Sequence, residues 1–143
     1  MKKLFFIAVL SLISLIFYGQ EYVGAAKCKM CHNSPAKGAQ FAKWESSKHS
    51  KTMSILSEAE KINPKCVKCH STAANIKAEG VSCESCHGPG SIYKSSVIMK
   101  DKIKSKASGL IMPTKEVCIK CHNSESPKFK GFDYDKYKAM IAH

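Results

Sequence analysis

The stretch SCESCHGPGS, residues 82–91, contains two cysteines separated by two residues, with a histidine directly after the second. A CxxC pair alone is compatible with a redox disulfide or with half of a zinc site. Here the whole motif, including the histidine, occurs four times. In chain order the motifs are unit 1, CKMCH (28–32); unit 2, CVKCH (66–70); unit 3, CESCH (83–87); and unit 4, CIKCH (118–122). Because these units contain all eight cysteines, the motif characterises the whole chain.

Cys-x-x-Cys-His in an exported chain is the attachment motif for c-type haem. Two thiols at this spacing can reach the two vinyl groups on one porphyrin edge, and the histidine that follows can bind the iron. A zinc site needs no histidine after each pair, and disulfide exchange uses only one or two pairs. We therefore predict four c-type haems. They would be attached through Cys28, Cys31, Cys66, Cys69, Cys83, Cys86, Cys118 and Cys121, with His32, His70, His87 and His122 as proximal iron ligands.

The first residues have the layout of a secretory signal peptide. Lys2 and Lys3 precede an apolar or small-residue stretch over 4–17, and small and polar residues follow. As a helix this stretch rises about 21 Å, which is less than the roughly 30 Å of a bilayer core. We therefore predict that residues 1–19 are a cleaved signal peptide. Residues 20–143 would form one domain without a transmembrane anchor, in the periplasm or outside the cell.

The chain is strongly basic, with a formal net charge of +12, and all of its 23 positively charged residues are lysines. Lysine clusters such as KDKIKSK (100–106) are usually solvated faces, but they can also steer an acidic partner. We expect redox proteins with an acidic docking surface as partners. Nucleic acid is not expected, because the chain has no arginine and no recognised binding motif.

The helical signals between the units are short. They lie within residues 36–56, 56–62, 91–106 and 133–143. Ser57 and Glu60 form a capping-box pattern, and Asp133 can cap the last segment. Such short helices, joined by glycine, proline and lysine, cannot bury much apolar surface by themselves. We predict an all-α fold of short helices and irregular loops wrapped around four covalently attached, closely packed haems.

Four irons can take four distal ligands, but only two histidines remain outside the units. We predict that His49 and His143 are both distal ligands, the second carried by an amphipathic segment. The other two irons would take a different ligand or stay open. Met53, Met99 and Met112 are candidate thioether ligands, although methionine more often fills gaps in a core.

Four segments together resemble the tetrahaem cytochrome c554 family. They are YVGAAKCKMCH (22–32), FAKWESSKHS (41–50), CESCHGPGS (83–91) and CIKCHNSESPKFKGFDYDKYKAMIAH (118–143). The resemblance covers the chain after the predicted signal peptide and implies a mostly helical wrapper around stacked haems that passes electrons. It also implies that His49, in a Trp-x-x-Ser-x-His segment, and His143 are distal ligands. Where relatives often have a ligating histidine after the Cys-His-Gly-Pro-Gly turn, this chain has Tyr93, a residue type that can also bind haem iron.

The predicted function is that of an exported tetrahaem cytochrome, which transfers electrons between redox partners through closely spaced haems. The alternative is a small reductase that acts on nitric oxide, hydroxylamine or a similar ligand at a haem with an open distal position. No acid–base group for such a reaction can be named from the sequence. We therefore expect an electron carrier rather than an enzyme.

Overall fold

The computed structural model describes residues 19–143, which form short helices, turns and extended segments and contain no β-strand. The helices are α1 (Ala25–His32), α2 (Gln40–Ser46), α3 (Glu58–Ile62), α4 (Pro64–His70), α5 (Cys83–His87), α6 (Ser96–Met99), α7 (Lys102–Ala107), α8 (Lys115–Ile119) and α9 (Tyr134–Ile141). Three 3₁₀ turns lie at Pro35–Lys37, His49–Lys51 and Ala74–Glu79. The predicted all-α class is confirmed.

The predicted signal peptide, residues 1–19, lies outside the described residues except for Gly19. Its cleavage, and with it the boundary of the domain at residue 20, therefore stays a prediction. From residue 19 onward, no helix is long and apolar enough to cross a membrane.

Two of the predicted helix starts are confirmed in detail. The Ser57 hydroxyl accepts a hydrogen bond from the Glu60 amide, and the Glu60 carboxylate accepts one from the Ser57 amide, which together form a capping box at α3. At α9 the Asp133 carboxylate accepts a hydrogen bond from the Lys136 amide at 3.1 Å. In both cases a side chain satisfies an amide that has no partner within the first turn of its helix.

Two longer helical segments are interrupted. The segment 36–56 divides into a 3₁₀ turn, α2 and a second 3₁₀ turn. The first break lies at Gly38 and Ala39, which adopt left-handed backbone conformations with φ of 95° and 49°, and the second lies at Ser47, which is extended. The segment 91–106 divides into α6 and α7. Here the Asp101 carboxylate accepts hydrogen bonds from two amides of α7, so that a new helix begins where one continuous helix was predicted.

The side-chain core is very small. Among residues 19–143, the buried apolar side chains are Ala25, Phe41, Met53 and Tyr93. Large apolar side chains are exposed instead, including Met30 at 83 % and Ile62 at 80 %. A chain of this length ordinarily buries most of its large apolar residues. The fold therefore fits a protein whose interior is completed by a large apolar group other than its own side chains.

Polar contacts position the units relative to one another. The Thr72 hydroxyl, just after unit 2, lies 2.7 Å from the Ser85 hydroxyl of unit 3 and 3.0 Å from that of Ser82. The amide of Thr72 also donates to the carbonyl of Gly80 at 3.0 Å. Units 2 and 3 are therefore joined by hydrogen bonds rather than by a packed apolar interface.

Candidate haem centre

Each of the four units lies on a helical turn. Units 1, 2 and 3 fall entirely within α1, α4 and α5, and unit 4 begins in α8 and continues into the turn that follows it. In unit 4 the amide of His122 still donates to the carbonyl of Cys118 at 3.0 Å, as in a helix. Residues three and four apart lie on one side of a helix, so each unit presents two thiols and an imidazole on the same side.

The eight cysteines are all free thiols, so none is used in a disulfide. Thiols of different units approach each other in two places. The thiol of Cys28 in unit 1 lies beside that of Cys83 in unit 3 and is the main cause of a raised pKa for Cys83. Burial, followed by the neighbouring thiol of Cys69 in unit 2, raises the pKa of Cys121 to about 12. Units 1 and 3 are therefore neighbours, as are units 2 and 4.

The imidazole rings of units 2 and 3 are oriented by backbone carbonyls. Nδ1 of His70 lies 2.9 Å from the carbonyl oxygen of Thr52, and Nδ1 of His87 lies 3.0 Å from that of Ile111. An Nδ1–H that donates to a carbonyl leaves the lone pair of Nε2 available to bind a metal. This arrangement of the inner and outer ligand shells is common at metal-binding histidines.

Each of the two histidines outside the units lies close to the histidine of one unit. The ring centres of His49 and His122 are 6.1 Å apart with planes tilted by 59°, and those of His87 and His143 are 6.2 Å apart with a tilt of 58°. A metal–imidazole bond of about 2.0–2.1 Å and a ring radius of about 1.1 Å imply roughly 6.3 Å between two imidazoles on opposite sides of one metal ion. Both histidine pairs fit that arrangement.

Burial favours the neutral, metal-binding form of three of these imidazoles. It is the first cause of the lowered pKa values of His49, His87 and His122. His122 and His143 add smaller electrostatic effects that lower the pKa values of their respective partners, His49 and His87. The residues present therefore fit a c-type haem in the chemistry of the thiols, in the separation of the histidines and in the lack of a side-chain core.

His49 is held by the segment around α2. The rings of Phe41 and Trp44 pack 5.3 Å apart, and the Trp44 indole donates a hydrogen bond to the carbonyl of Val81 at 2.8 Å. The amide of Val81 in turn donates to the carbonyl of His49 at 3.0 Å. The Thr52 hydroxyl, 2.8 Å from the carbonyl of His70, connects this segment to unit 2.

An aromatic stack leads from α9 to unit 4. The ring of Phe132 stacks on His122 at 4.6 Å and on Tyr137 at 5.4 Å. Sequence reasoning did not identify Phe132 or Thr52, because nothing in their neighbourhood marks them. It also overlooked Glu84, although an acidic residue between the two cysteines of unit 3 was a usable signal.

The other candidate iron ligands, three methionines and one tyrosine, are less well placed to bind a haem iron. Met53 is buried and follows the residue whose carbonyl faces His70, Met99 is half-buried, and Met112 is 60 % exposed. Tyr93 is buried, and its hydroxyl donates a hydrogen bond to the carbonyl of Gly88 at 2.6 Å. This contact gives the phenol a structural partner.

Comparisons with known proteins give a matching family profile and a similar protein. The family profile described as cytochrome c554 and c-prime matches residues 27–88, which contain units 1, 2 and 3 and His49. Cytochrome c-554 of Nitrosomonas europaea is 27% identical over 150 aligned residues, which cover 77% of this chain and 61% of the relative. The chain thus spans about three fifths of the length of that relative. No solved structure gives a significant match.

A helical chain with free CxxCH thiols, oriented imidazoles and almost no side-chain core defines a c-type cytochrome, a protein that carries covalently attached haem iron. The comparisons indicate the particular family to which the chain is similar. It resembles the cytochrome c554 family over residues 27–88, in agreement with the resemblance found in the sequence.

The role of Tyr93 can be tested by Tyr93→Phe. Removal of the hydroxyl leaves the buried carbonyl of Gly88 without its partner, so we expect the free energy of unfolding to fall by about 1 kcal/mol. The visible spectrum should not change, because the phenol is engaged by the backbone. Chemical denaturation and absorption spectra measure the two effects, with Tyr137→Phe at a 43% exposed ring as the control. A changed haem spectrum in Tyr93→Phe alone would contradict this assignment.

Proposed function

We propose that the protein is an exported electron carrier with four c-type haems, one at each unit. The observation that carries this proposal is the presence of two histidine pairs at 6.1 and 6.2 Å, the separation that two axial imidazoles on one iron require. A haem iron bound in this way supplies one-electron chemistry, by alternating between the ferric and the ferrous state. The protein then has to hold the haems close together and bring their edges near partner proteins.

The proposed ligands follow from the placement of the side chains. The eight cysteines form the thioether bonds, and the histidine of each unit is the proximal ligand. His49 is the distal ligand at unit 4, opposite His122, and His143 is the distal ligand at unit 3, opposite His87. Both distal histidines come from segments remote in sequence from the unit that they would serve.

The neighbour relations among the units support an electron path. Neighbouring thiols pair unit 1 with unit 3 and unit 2 with unit 4, and the ion pair of Lys68 with Glu125 also joins unit 2 to the turn after unit 4. Cys86 of unit 3 and Cys118 of unit 4 are close enough for the charge of Cys118 to contribute to a raised pKa of Cys86, after the larger effect of burial. We infer a path in the order unit 1, unit 3, unit 4, unit 2, with its two ends available to partners.

The proposed partners are redox proteins with an acidic docking surface. Lys100, Lys102, Lys104 and Lys106 are exposed at and around α7. Of these, Lys104 lies 3.6 Å from the Asp101 carboxylate. Such a surface attracts acidic proteins into short-lived complexes that weaken as salt is added. Encounter in the periplasm or outside the cell would follow export through the predicted signal peptide.

The number of haems can be counted directly. The chain matured in a host with the machinery for c-type haem attachment should have the mass of the polypeptide plus four haems and a matching pyridine-haemochrome absorbance. Cys28→Ala with Cys31→Ala should lower the count from four to three. Met30→Ala, an exposed residue between the same cysteines, is the matched control and should keep all four. A count below four in the wild-type protein, or bound zinc, would reject the proposal.

The distal ligands can be separated by single substitutions. His49→Ala should convert one low-spin iron to high-spin, measured by EPR of the oxidised protein, because the iron at unit 4 loses an axial ligand. His143→Ala should do the same at unit 3. When Cys118→Ala and Cys121→Ala are added to His49→Ala, the new high-spin signal should disappear, whereas it should persist if the assignment to unit 4 is wrong.

The reductase alternative has one observation in its favour. Among the histidine ring pairs within residues 19–143, none includes His32 or His70. Irons at units 1 and 2 without a histidine on the distal side could bind a small ligand. We expect carbon monoxide to shift the spectrum of the ferrous protein at up to two irons, without catalytic turnover of hydroxylamine or nitric oxide. Sustained turnover under a reductant would favour the reductase, and a spectrum inert to carbon monoxide would eliminate it.

A further inference from the structure

Glu84 is the largest fully buried side chain among the described residues, with 1% of its surface exposed. It lies between the two cysteines of unit 3, on α5. Its carboxylate accepts hydrogen bonds from the amides of Val23 and Gly24 at 2.8–3.0 Å and from the amide of Gly90 at 2.6 Å. The side chain therefore ties unit 3 to the segment that immediately precedes α1, the helix of unit 1.

These contacts fit an ionised carboxylate. All three partners are hydrogen-bond donors, so a protonated carboxyl would have no acceptor for its own O–H among them. None of the salt bridges formed by residues 19–143 involves Glu84. The result is a buried negative charge that is stabilised by backbone dipoles rather than by a cation.

The backbone around Glu84 is shaped for this contact. Gly24 has a φ of 87°, in the left-handed region that side chains rarely adopt. A Cβ atom at Gly90 would lie 3.0 Å from the Glu84 carboxylate oxygen. The missing side chain at Gly90 thus permits the close approach to the carboxylate, and at Gly24 it permits the backbone conformation.

The other three units have a residue of the opposite charge between their cysteines. Between their cysteines they contain Lys29, Lys68 and Lys120, whereas unit 3 contains Glu84 and no lysine. All three lysines are exposed, and Lys68 also forms a surface ion pair with Glu125. Charges that are exposed to water are screened, but a buried charge acts strongly on its surroundings.

We propose that Glu84 is a fixed negative charge that lowers the reduction potentials of the haems at units 1 and 3. This inference rests on the proposed attachment of a haem at each unit. A ferric haem carries one more positive charge than a ferrous haem, so a nearby negative charge favours the oxidised state. Unit 3 contains the charge, and the chain leading into unit 1 is bonded to it.

Such a difference in reduction potential gives electron transfer along the path a preferred direction. Lower potentials at units 1 and 3 make the haems there better donors than those at units 4 and 2. Electrons would then enter at unit 1 and come to rest towards unit 2. Glu84 acts through the haem irons without binding them, so it is a positioning and tuning residue.

The test is Glu84→Gln, which removes the charge and preserves the shape of the side chain. The haem count is measured first by mass, and the four midpoint potentials are then measured by NMR-assigned redox titration. We expect the ratio of reduced to oxidised haem at units 1 and 3 to rise about tenfold at a fixed potential, equivalent to about 59 mV for one electron. Four haems with unchanged potentials would overturn this inference alone, whereas fewer than four in the wild type would overturn the proposed function.

Two further variants separate charge from structure. Glu79→Gln is the matched control, because the half-buried Glu79 carboxylate also accepts a hydrogen bond from the start of α1, from Ala25 at 2.8 Å. It should shift the potentials much less than Glu84→Gln. Glu84→Asp keeps the charge and should leave the potentials near those of the wild type even if it lowers stability. An equal rise in Glu84→Asp and Glu84→Gln would assign Glu84 a structural role only.

If Glu84→Gln does not retain its haems, the midpoint potentials of the haems in the wild-type protein test the inference instead. Irons with the same proposed axial ligands are compared, so that differences in ligation do not contribute. The potential at unit 3 should be lower than that at unit 4, where both irons have two histidines. The potential at unit 1 should be lower than that at unit 2, where neither has a paired histidine. The reverse order in both comparisons would overturn the inference.

Discussion

The small amount of apolar surface that this chain can bury by itself is the constraint on which its structure depends. Apolar burial is the main favourable contribution to folding, yet the described residues bury four apolar side chains and expose many larger ones. Short helices joined by turns are what remains when the polypeptide surrounds a core instead of forming it. Covalently attached haem resolves this difficulty, because each porphyrin brings a large apolar surface and is held by two bonds to the chain.

The helical turn makes each attachment motif work as a unit. Residues three and four apart share one side of a helix, so the two thiols and the histidine of a unit could hold one haem without any contribution from distant parts of the chain. Tertiary contacts then refine the geometry. The carbonyls of Thr52 and Ile111 orient the rings of His70 and His87, and Phe132 stacks on His122.

Hydrogen bonds of polar side chains hold the units together here, as apolar packing does in other folds. Thr72 joins unit 2 to unit 3, and Glu84 joins unit 3 to the segment before unit 1. Buried polar contacts of this kind are specific in direction and distance, so they fix the mutual placement of the units. For an electron carrier this placement matters as much as stability, because transfer between haems depends on their separation. A charge such as that of Glu84 can serve both purposes.

The sequence by itself determined the features that depend on neighbours along the chain. These are the four units, the helical class, the capping box at Ser57 and the cap at Asp133, all of which follow from local spacing and local hydrogen bonding. It predicted helical segments without the breaks at Gly38 and Asp101, because backbone conformation and capping at one residue outweigh a weak helical preference. Only the tertiary structure decided which of His49 and His143 lies close to which unit and what surrounds Glu84. Those contacts join segments far apart in sequence, and no local pattern encodes the path by which the chain brings them together.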